Sequence, residues 1–488
     1  MRKPIRWFGT ITLAAIVLAS TDFATHFLAA AESARLSSKP NVLFIAVDDL
    51  NHWVGYLGRN KQARTPNIDR LAARGVAFTR AHCAAPVCNP SRAALLTGLR
   101  PSSTGVYENR HDWRTVISED KTLATTFRKH GYYVAGAGKI YHGGFDRRGE
   151  WDDYLARAGG DPKPVGDTGV GGIKFAPLDC ADQDLADYRI TTWIAEQLQK
   201  KHDKPFFLAC GLHKPHMPWN VPRKYYDMFP PQKIELPPTI DGDLEDVPSG
   251  GVTMARPAGD HATMLNSGRW KEAVQAYLAA IAYTDMNIGR LLEALDQSAY
   301  ATNTIIVFWG DHGWHLGEKQ HWRKFALWEE ATHAPLIWVV PGLTKANSVC
   351  DRTVDFMAIY PTLTDLCGIP TPGHVEGDSI RSLLARPEAK WDKPALTTYG
   401  FSNHAVRTEN WRYIRYADGG EELYDEAKDP FEWTNVASKA ELSLIKSELA
   451  RWLPKVNKPA LPNARAGNPQ SRSRQAGTDD PSVVEKNR

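Results

Sequence analysis

From Lys39 onward, short apolar runs alternate with longer amphipathic stretches, the pattern of an α/β domain built on a mostly parallel sheet. Residues 41–47 (NVLFIAV) read as a buried strand, and residues 67–75 as a short helix closed by Gly75. A helix over 122–130 leads to a strand over 132–137, and a longer helix over 183–200 leads to the strand PFFLAC at 205–210. The longest helix covers 272–296, where Val274, Leu278, Ile281, Ile288, Leu291, Leu292 and Leu295 recur at three-to-four-residue spacing. The strand TIIVFW at 304–309 follows it, and the apolar run 334–340 gives a further strand.

Two segments break the alternation: the glycine-rich residues 159–172 and the Pro/Gly-rich residues 230–259 read as long loops on the substrate-facing rim. Residues 397–424 hold short strands and a Gly419-Gly420 turn signal, followed by a helix near 441–453. The organisation expected is a leader over 1–31, a main domain over 39–385, a small antiparallel C-terminal subdomain over 386–455, and a disordered tail over 456–488. No internal repeat is visible.

The leader follows from Arg2, Lys3 and Arg6 ahead of an apolar run from Trp7 to Ala19, then Ala29, Ala30 and Ala31. That run is short for a membrane span and no later segment approaches one, so a soluble, exported chain in the periplasm or outside the cell is expected, with no stable membrane insertion after cleavage. Across 488 residues, 59 Lys plus Arg meet 56 Asp plus Glu, a net charge of 59 − 56 = +3 with no block of one sign. Such a balance argues against a nucleic-acid partner. Six cysteines are too few to scaffold a chain this long, so one disulfide or none is expected, with Cys83 and Cys88 close enough in sequence to pair.

Four polar clusters each follow a predicted strand: Asp48-Asp49, Gly138 to His142, Gly211 to Lys214, and Asp311-His312-Gly313. In a parallel sheet the carboxyl ends of neighbouring strands share one edge, where ligands bind, so these clusters converge. Asp48 and Asp49 alone could be a cap or turn. With Asp311 added, three carboxylates facing one cleft call for a hard divalent cation such as Ca²⁺ or Mg²⁺ between them. His312 is a softer ligand, or else an ordinary hydrogen-bonding histidine at a turn.

The segment Cys88-Asn89-Pro90-Ser91-Arg92, followed by Leu96-Thr97-Gly98, is the most specific signal in the chain. It resembles the signature of the type I, formylglycine-dependent sulfatases of the alkaline phosphatase superfamily. VDDL, TPNIDRLAARG, GKIYHGG, the strand ending in DHG and ELYDEAKDP extend the likeness over residues 39–455. GLHKPHMP at 211–218, DHGWHLGE at 311–318 and His312 itself make it most similar to the iduronate-2-sulfatases.

The resemblance implies an alkaline phosphatase/sulfatase-like fold, a large mixed, mostly parallel sheet sandwiched by helices. It also implies a formylglycine-generating maturation enzyme that oxidises Cys88, and one Ca²⁺, or Mg²⁺, held by Asp48, Asp49, Cys88, Asp311 and His312. Most such enzymes carry Asn where this chain has His312. Arg92, one helical turn beyond Cys88, reaches back to the modified side chain. Lys139 and His142 hold it, with His142 the base that frees sulfate. His213 protonates the leaving oxygen, Lys324 contacts the sulfate, and Arg323 beside it stays on the surface. His216 and His321 receive no step, and His315 lines the pocket.

The activity implied is hydrolysis of sulfate esters on a uronic-acid-containing glycan. Arg110, Arg114 and Lys214 are the basic residues available for the sugar carboxylate. A phosphatase or phosphodiesterase of the same superfamily is the alternative, and would need two zinc ions. A sulfated-glycan binder in which Cys88 is never converted is a third reading.

Overall fold

A computed structural model describes Met1, residues 39–155 and residues 158–464. The chain divides into two units, Met1–Pro40 and Asn41–Arg488. The expected leader over 1–31 lies outside the described residues but for Met1, and all elements below belong to the second unit.

The main sheet has eight strands: β1 (Asn41–Val47), β2 (Val76–His82), β3 (Tyr133–Gly138), β4 (Asp153–Leu155), β5 (Phe206–Leu212), β6 (Thr304–Gly310), β7 (Leu336–Val339) and β8 (Ser348–Asp355). Their spatial order is β8-β2-β7-β6-β1-β5-β3-β4. Only β7 runs antiparallel to its neighbours, so the sheet is mixed and mostly parallel, as expected. Strands β6, β1, β5 and β3 are consecutive, which lines up the four ends that carry the polar clusters.

Helices cover both faces, and the alternation along β1 shows how. Leu43, Ile45 and Val47 enter one core with α1 (Pro66–Ala73), α4 (Ala186–Gln199) and α5 (Trp270–Asp296). Val42, Phe44 and Ala46 enter the other with α2 (Cys88–Thr97), α3 (Leu123–Lys129) and α6 (Ile359–Leu366). A strand buried on both sides must be apolar throughout, which is why NVLFIAV has no polar face.

A four-stranded antiparallel sheet follows: β9 (Ala395–Thr398), β10 (His404–Arg407), β11 (Trp411–Arg415) and β12 (Glu421–Asp425). Ala405 and Ile414 turn toward Leu327 and Trp328 of the main domain, while Val406, Tyr413 and Leu423 pack against Leu449 of α7 (Ser443–Ala450).

Two expectations change. The stretch 230–259 is not all loop: Ser249–Ala255 is helical, and Gly251 lies against Tyr416 where a larger residue would clash. The expected disorder from 456 gives way over residues 458–464, because Lys458, Leu461 and Ala464 donate backbone hydrogen bonds to Ser102, Gly105 and Arg110. Residues 465–488 of that tail lie outside the described residues. None of the six cysteines forms a disulfide, and Cys83 and Cys88 are both buried thiols.

Candidate active site

The carboxyl ends of β1, β3 and β6 meet the head of α2, and the side chains there form one buried charge network. Cys88 opens α2 with its thiol fully buried. Its Sγ lies 3.1 Å from Lys324 Nζ, 3.4 Å from His312 Nε2 and 3.8 Å from Asp49 Oδ1. Burial pushes the thiol up and Asp48 adds to that, but Lys139 and Lys324 outweigh both and bring it to about 6. Burial lowers the pKa of the His142 ring, against the upward pull of the nearby Cys88 thiol.

Arg92, one turn into α2, is fully buried and reaches carboxylates rather than Cys88. Its Nε donates to Asp311 Oδ2 at 2.8 Å and one terminal nitrogen to Asp48 Oδ1 at 3.3 Å. The other terminal nitrogen donates to the carbonyls of Lys139 and, at 3.2 Å, Ile140. Lys139 Nζ in turn donates to Asp48 Oδ2. Burial penalises the Asp48 charge, but Lys139, His216 and Arg92 hold its carboxyl well below the ordinary range.

Lys139 reaches this position because β3 and β5 approach closely at their ends. Gly138 has φ +78°, and a Cβ built on Gly211 would stand 2.3 Å from the Lys139 carbonyl carbon, so glycine is required at both.

Asp49 lies in the left-handed region, φ 57°, which Asp tolerates better than most residues. Its N–H donates to Asp311 Oδ1 at 2.9 Å, and Lys324 Nζ donates to its Oδ1 at 2.7 Å. Its Oδ2 is buried with no hydrogen-bond partner among the described residues, and burial raises the carboxyl to about 7. His312 Nδ1 donates to Gly313 O at 3.0 Å, which leaves the Nε2 lone pair facing Asp49 Oδ1 at 3.3 Å and Asp311 Oδ1 at 3.6 Å. Ligand atoms of Asp48, Cys88, Asp311 and His312 all lie within 4.8 Å of one another. Carboxylates with one orphaned oxygen and a neutral imidazole of this tautomer fit a hard divalent cation.

His213 takes no part in this network; its side chain is 36% exposed and its Nδ1 lies 3.1 Å from Asp187 Oδ1. Its neighbour His216, given no role from the sequence, brings Nε2 to 4.0 Å from Asp48 and 3.9 Å from Asp49. Several expectations are corrected here. Arg323 is not a surface charge: it is buried and donates to Asp260 at 2.6 Å. His315 does not line an open pocket; it is fully buried, its ring 4.9 Å from that of His321. Arg114 is held by both oxygens of Asp112, at 2.8 and 2.9 Å, and Lys214 is buried against Pro218 O at 2.7 Å, so neither is placed to meet a sugar carboxylate.

Sequence reasoning missed three supports. Tyr277 donates to Asp49 O at 2.7 Å, Ser91 donates to Asp311 O at 2.6 Å, and Asp187 holds His213. Ser91 lay within a recognised segment, but Tyr277 and Asp187 sit inside helices where no motif singled them out.

The chain matches the Sulfatase family over residues 40–369 and the C-terminal region of N-sulphoglucosamine sulphohydrolase over residues 317–459. A sulfatase of Formosa agariphila is 41% identical over 448 residues, 86% of this chain and 87% of that protein. Iduronate 2-sulfatase of Homo sapiens is 30% identical over 469 residues, 76% of this chain and 84% of that protein. The solved phosphonate monoester hydrolase of Agrobacterium radiobacter shares the fold, with TM-score 0.73 and 24% identity over 84% of this chain and 94% of its own. The first family match runs through all four strand ends that carry the polar clusters, and the chain therefore belongs to the sulfatase family and is a sulfuric ester hydrolase.

Proposed function

We propose that this sulfatase is exported and removes sulfate from a uronic-acid-containing glycan, as an iduronate 2-sulfatase does. In this reading Cys88 is converted to formylglycine and one Ca²⁺ is bound by Asp48, Asp49, Asp311, His312 and the side chain at residue 88. The observation that carries it is the environment of residue 88. Its Sγ stands where the modified side chain would be, at a helix head, touching Lys324, His312 and Asp49.

When present, the hydrated aldehyde supplies a hydroxyl nucleophile and the cation neutralises charge on the sulfuryl oxygens. The chain's own groups do the rest. Lys324 and Lys139, both buried, hold positive charge beside the reacting position, where low dielectric strengthens it. Arg92 fixes Asp48 and Asp311 relative to each other. His142, neutral and against residue 88, accepts a proton there. His213, outside the network and partly exposed, delivers a proton to the departing sugar oxygen.

Substrate class rests on the likeness to iduronate 2-sulfatase, and export on the basic-then-apolar pattern of residues 1–31. No helix among the described residues is long and apolar enough to cross a membrane.

The test is the mass of the tryptic peptide 81–92 from protein made in a maturation-competent host, with fragmentation to separate Cys83 from Cys88. An aldehyde at 88 beside an unmodified Cys83 is expected, together with hydrolysis of a sulfated uronate disaccharide. A thiol at 88 in active protein would sink the reading. The phosphonate hydrolase fold likeness sustains one second reading, a phosphoryl hydrolase. Two zinc ions per chain and faster turnover of phosphate than of sulfate esters would favour it.

A further inference from the structure

Asp187 is a buried carboxylate spent wholly on one turn. It lies in the first turn of α4 and is 2% exposed. Its Oδ1 accepts from the backbone N–H of His213 at 2.9 Å and from the His213 ring nitrogen Nδ1 at 3.1 Å, and its Oδ2 accepts from the backbone N–H of Lys214 at 2.7 Å. Burial opposes its charge, but the His213 ring and the two backbone N–H groups hold the carboxyl below its ordinary value. An ionised acceptor at Nδ1 makes that nitrogen the protonated one, so Nε2 is the nitrogen left for proton transfer. The two backbone contacts fix the chain at His213 and Lys214, and the Nδ1 contact fixes the ring plane. Packing alone would require neither.

We infer that Asp187 is a positioning residue that locks His213 so that Nε2 serves the leaving group. This rests on the proposed sulfate-ester hydrolysis. As the sulfur–oxygen bond to the sugar breaks, its electron pair stays on the sugar oxygen and the sulfuryl group passes to the attacking oxygen. The proton on His213 Nε2 moves to the sugar oxygen, leaving a neutral ring with Nδ1–H still bound to Asp187, and solvent restores the Nε2 proton. A sugar alkoxide is a poor leaving group and needs this proton, whereas 4-nitrophenolate departs readily as an anion.

The experiment compares wild type, Asp187→Asn, His213→Ala and the double variant in the full chain, with a 2-O-sulfated uronate disaccharide and with 4-nitrophenyl sulfate. Asp187→Asn should lower kcat on the disaccharide on the order of 10²-fold, leave KM and turnover of 4-nitrophenyl sulfate within about twofold, and add nothing in the His213→Ala background. Equal losses on both esters, or an undiminished loss in the His213→Ala background, would show a merely structural role and overturn the inference. The ¹⁵N shifts of the His213 ring, read on wild type whether or not residue 88 is converted, give an independent answer. An Nδ1–H ring is expected, and an Nε2–H tautomer with bare Nδ1 overturns the proposal. Absence of activity on both esters with the Nδ1–H ring intact would count against the hydrolase reading and not against the role of Asp187 as the anchor of that ring.

Discussion

Arg92 decides the charge balance around residue 88. Its guanidinium is fully buried and bridges Asp48 and Asp311, so removing it strands two carboxylates that already lie close together. Arg92→Met should cost about 3–5 kcal/mol in denaturant unfolding without added metal, the range for breaking a buried pair on one side. Added calcium should restore part of it. No such recovery would mean that the carboxylates do not share a cation. Asp48, Asp49 and Asp311 were legible because each ends an apolar strand, and Cys88 because its neighbours form a specific segment. Asp187 was not legible, since its partner is a turn 26 residues away and an acid early in a helix is ordinary. Arg323 was misread because a charge beside another charge suggests solvent, while its partner Asp260 lies 63 residues back.

At the level of elements, the closeness of β3 and β5 places Lys139. Gly211→Ala would drive a methyl into the Lys139 backbone, so it should cost about 1–3 kcal/mol and lower kcat through displacement of Lys139. Unchanged activity would mean that Lys139 tolerates the shift. Beyond the end of β3, Tyr141 donates to Glu150 Oε2 at 2.6 Å in a fully buried setting. Burial lifts this carboxyl from 4.5 to about 7, against the hydrogen bond from Tyr141 and the pull of Arg147, which lies 4.0 Å away. The folded state therefore keeps a proton that the unfolded chain releases, and stability present below pH 4.5 is lost as pH rises through about 7. Glu150→Gln should lack this component, gaining up to about 3 kcal/mol over wild type above that range in urea unfolding followed against pH. Among strands, β1, β5 and β6 announced themselves as unbroken apolar runs because both faces are buried. Strands β2 and β8 were missed: Thr79 and Arg80 in one and Asp351 and Arg352 in the other lie toward the sheet's edge, where polar side chains are tolerated.

Across the whole molecule, the antiparallel sheet braces the segment that carries Lys324. Lys319, Gln320, Arg323 and Phe325 all have positive φ, a conformation that costs non-glycine residues about 1 kcal/mol each unless their surroundings impose it. Arg412 of β11 anchors the chain immediately after that segment. It is fully buried, donates to Leu327 O at 3.1 Å, and pairs with Glu329, Glu426 and Glu432. With Arg407 it also accounts for the three-glutamate cluster, which needs no cation. Arg412→Met should lower stability by about 3–5 kcal/mol and reduce kcat by loosening Lys324, read as a fall in Tm together with lost turnover. Full activity at a lowered Tm would separate the brace from the chemistry. The same closure has a consequence in time. Every residue of α2 from Cys88 to Thr97 is buried, and two of the groups against residue 88, His312 and Lys324, come more than 220 residues later in the chain. A sulfate group needs only a few atoms' access, but an enzyme that rewrites a side chain must grip the backbone on either side of it. On the proposed formylglycine reading, conversion of Cys88 therefore belongs to the interval after that segment emerges and before the C-terminal sheet docks, and protein that has already folded with its thiol should resist the maturation enzyme.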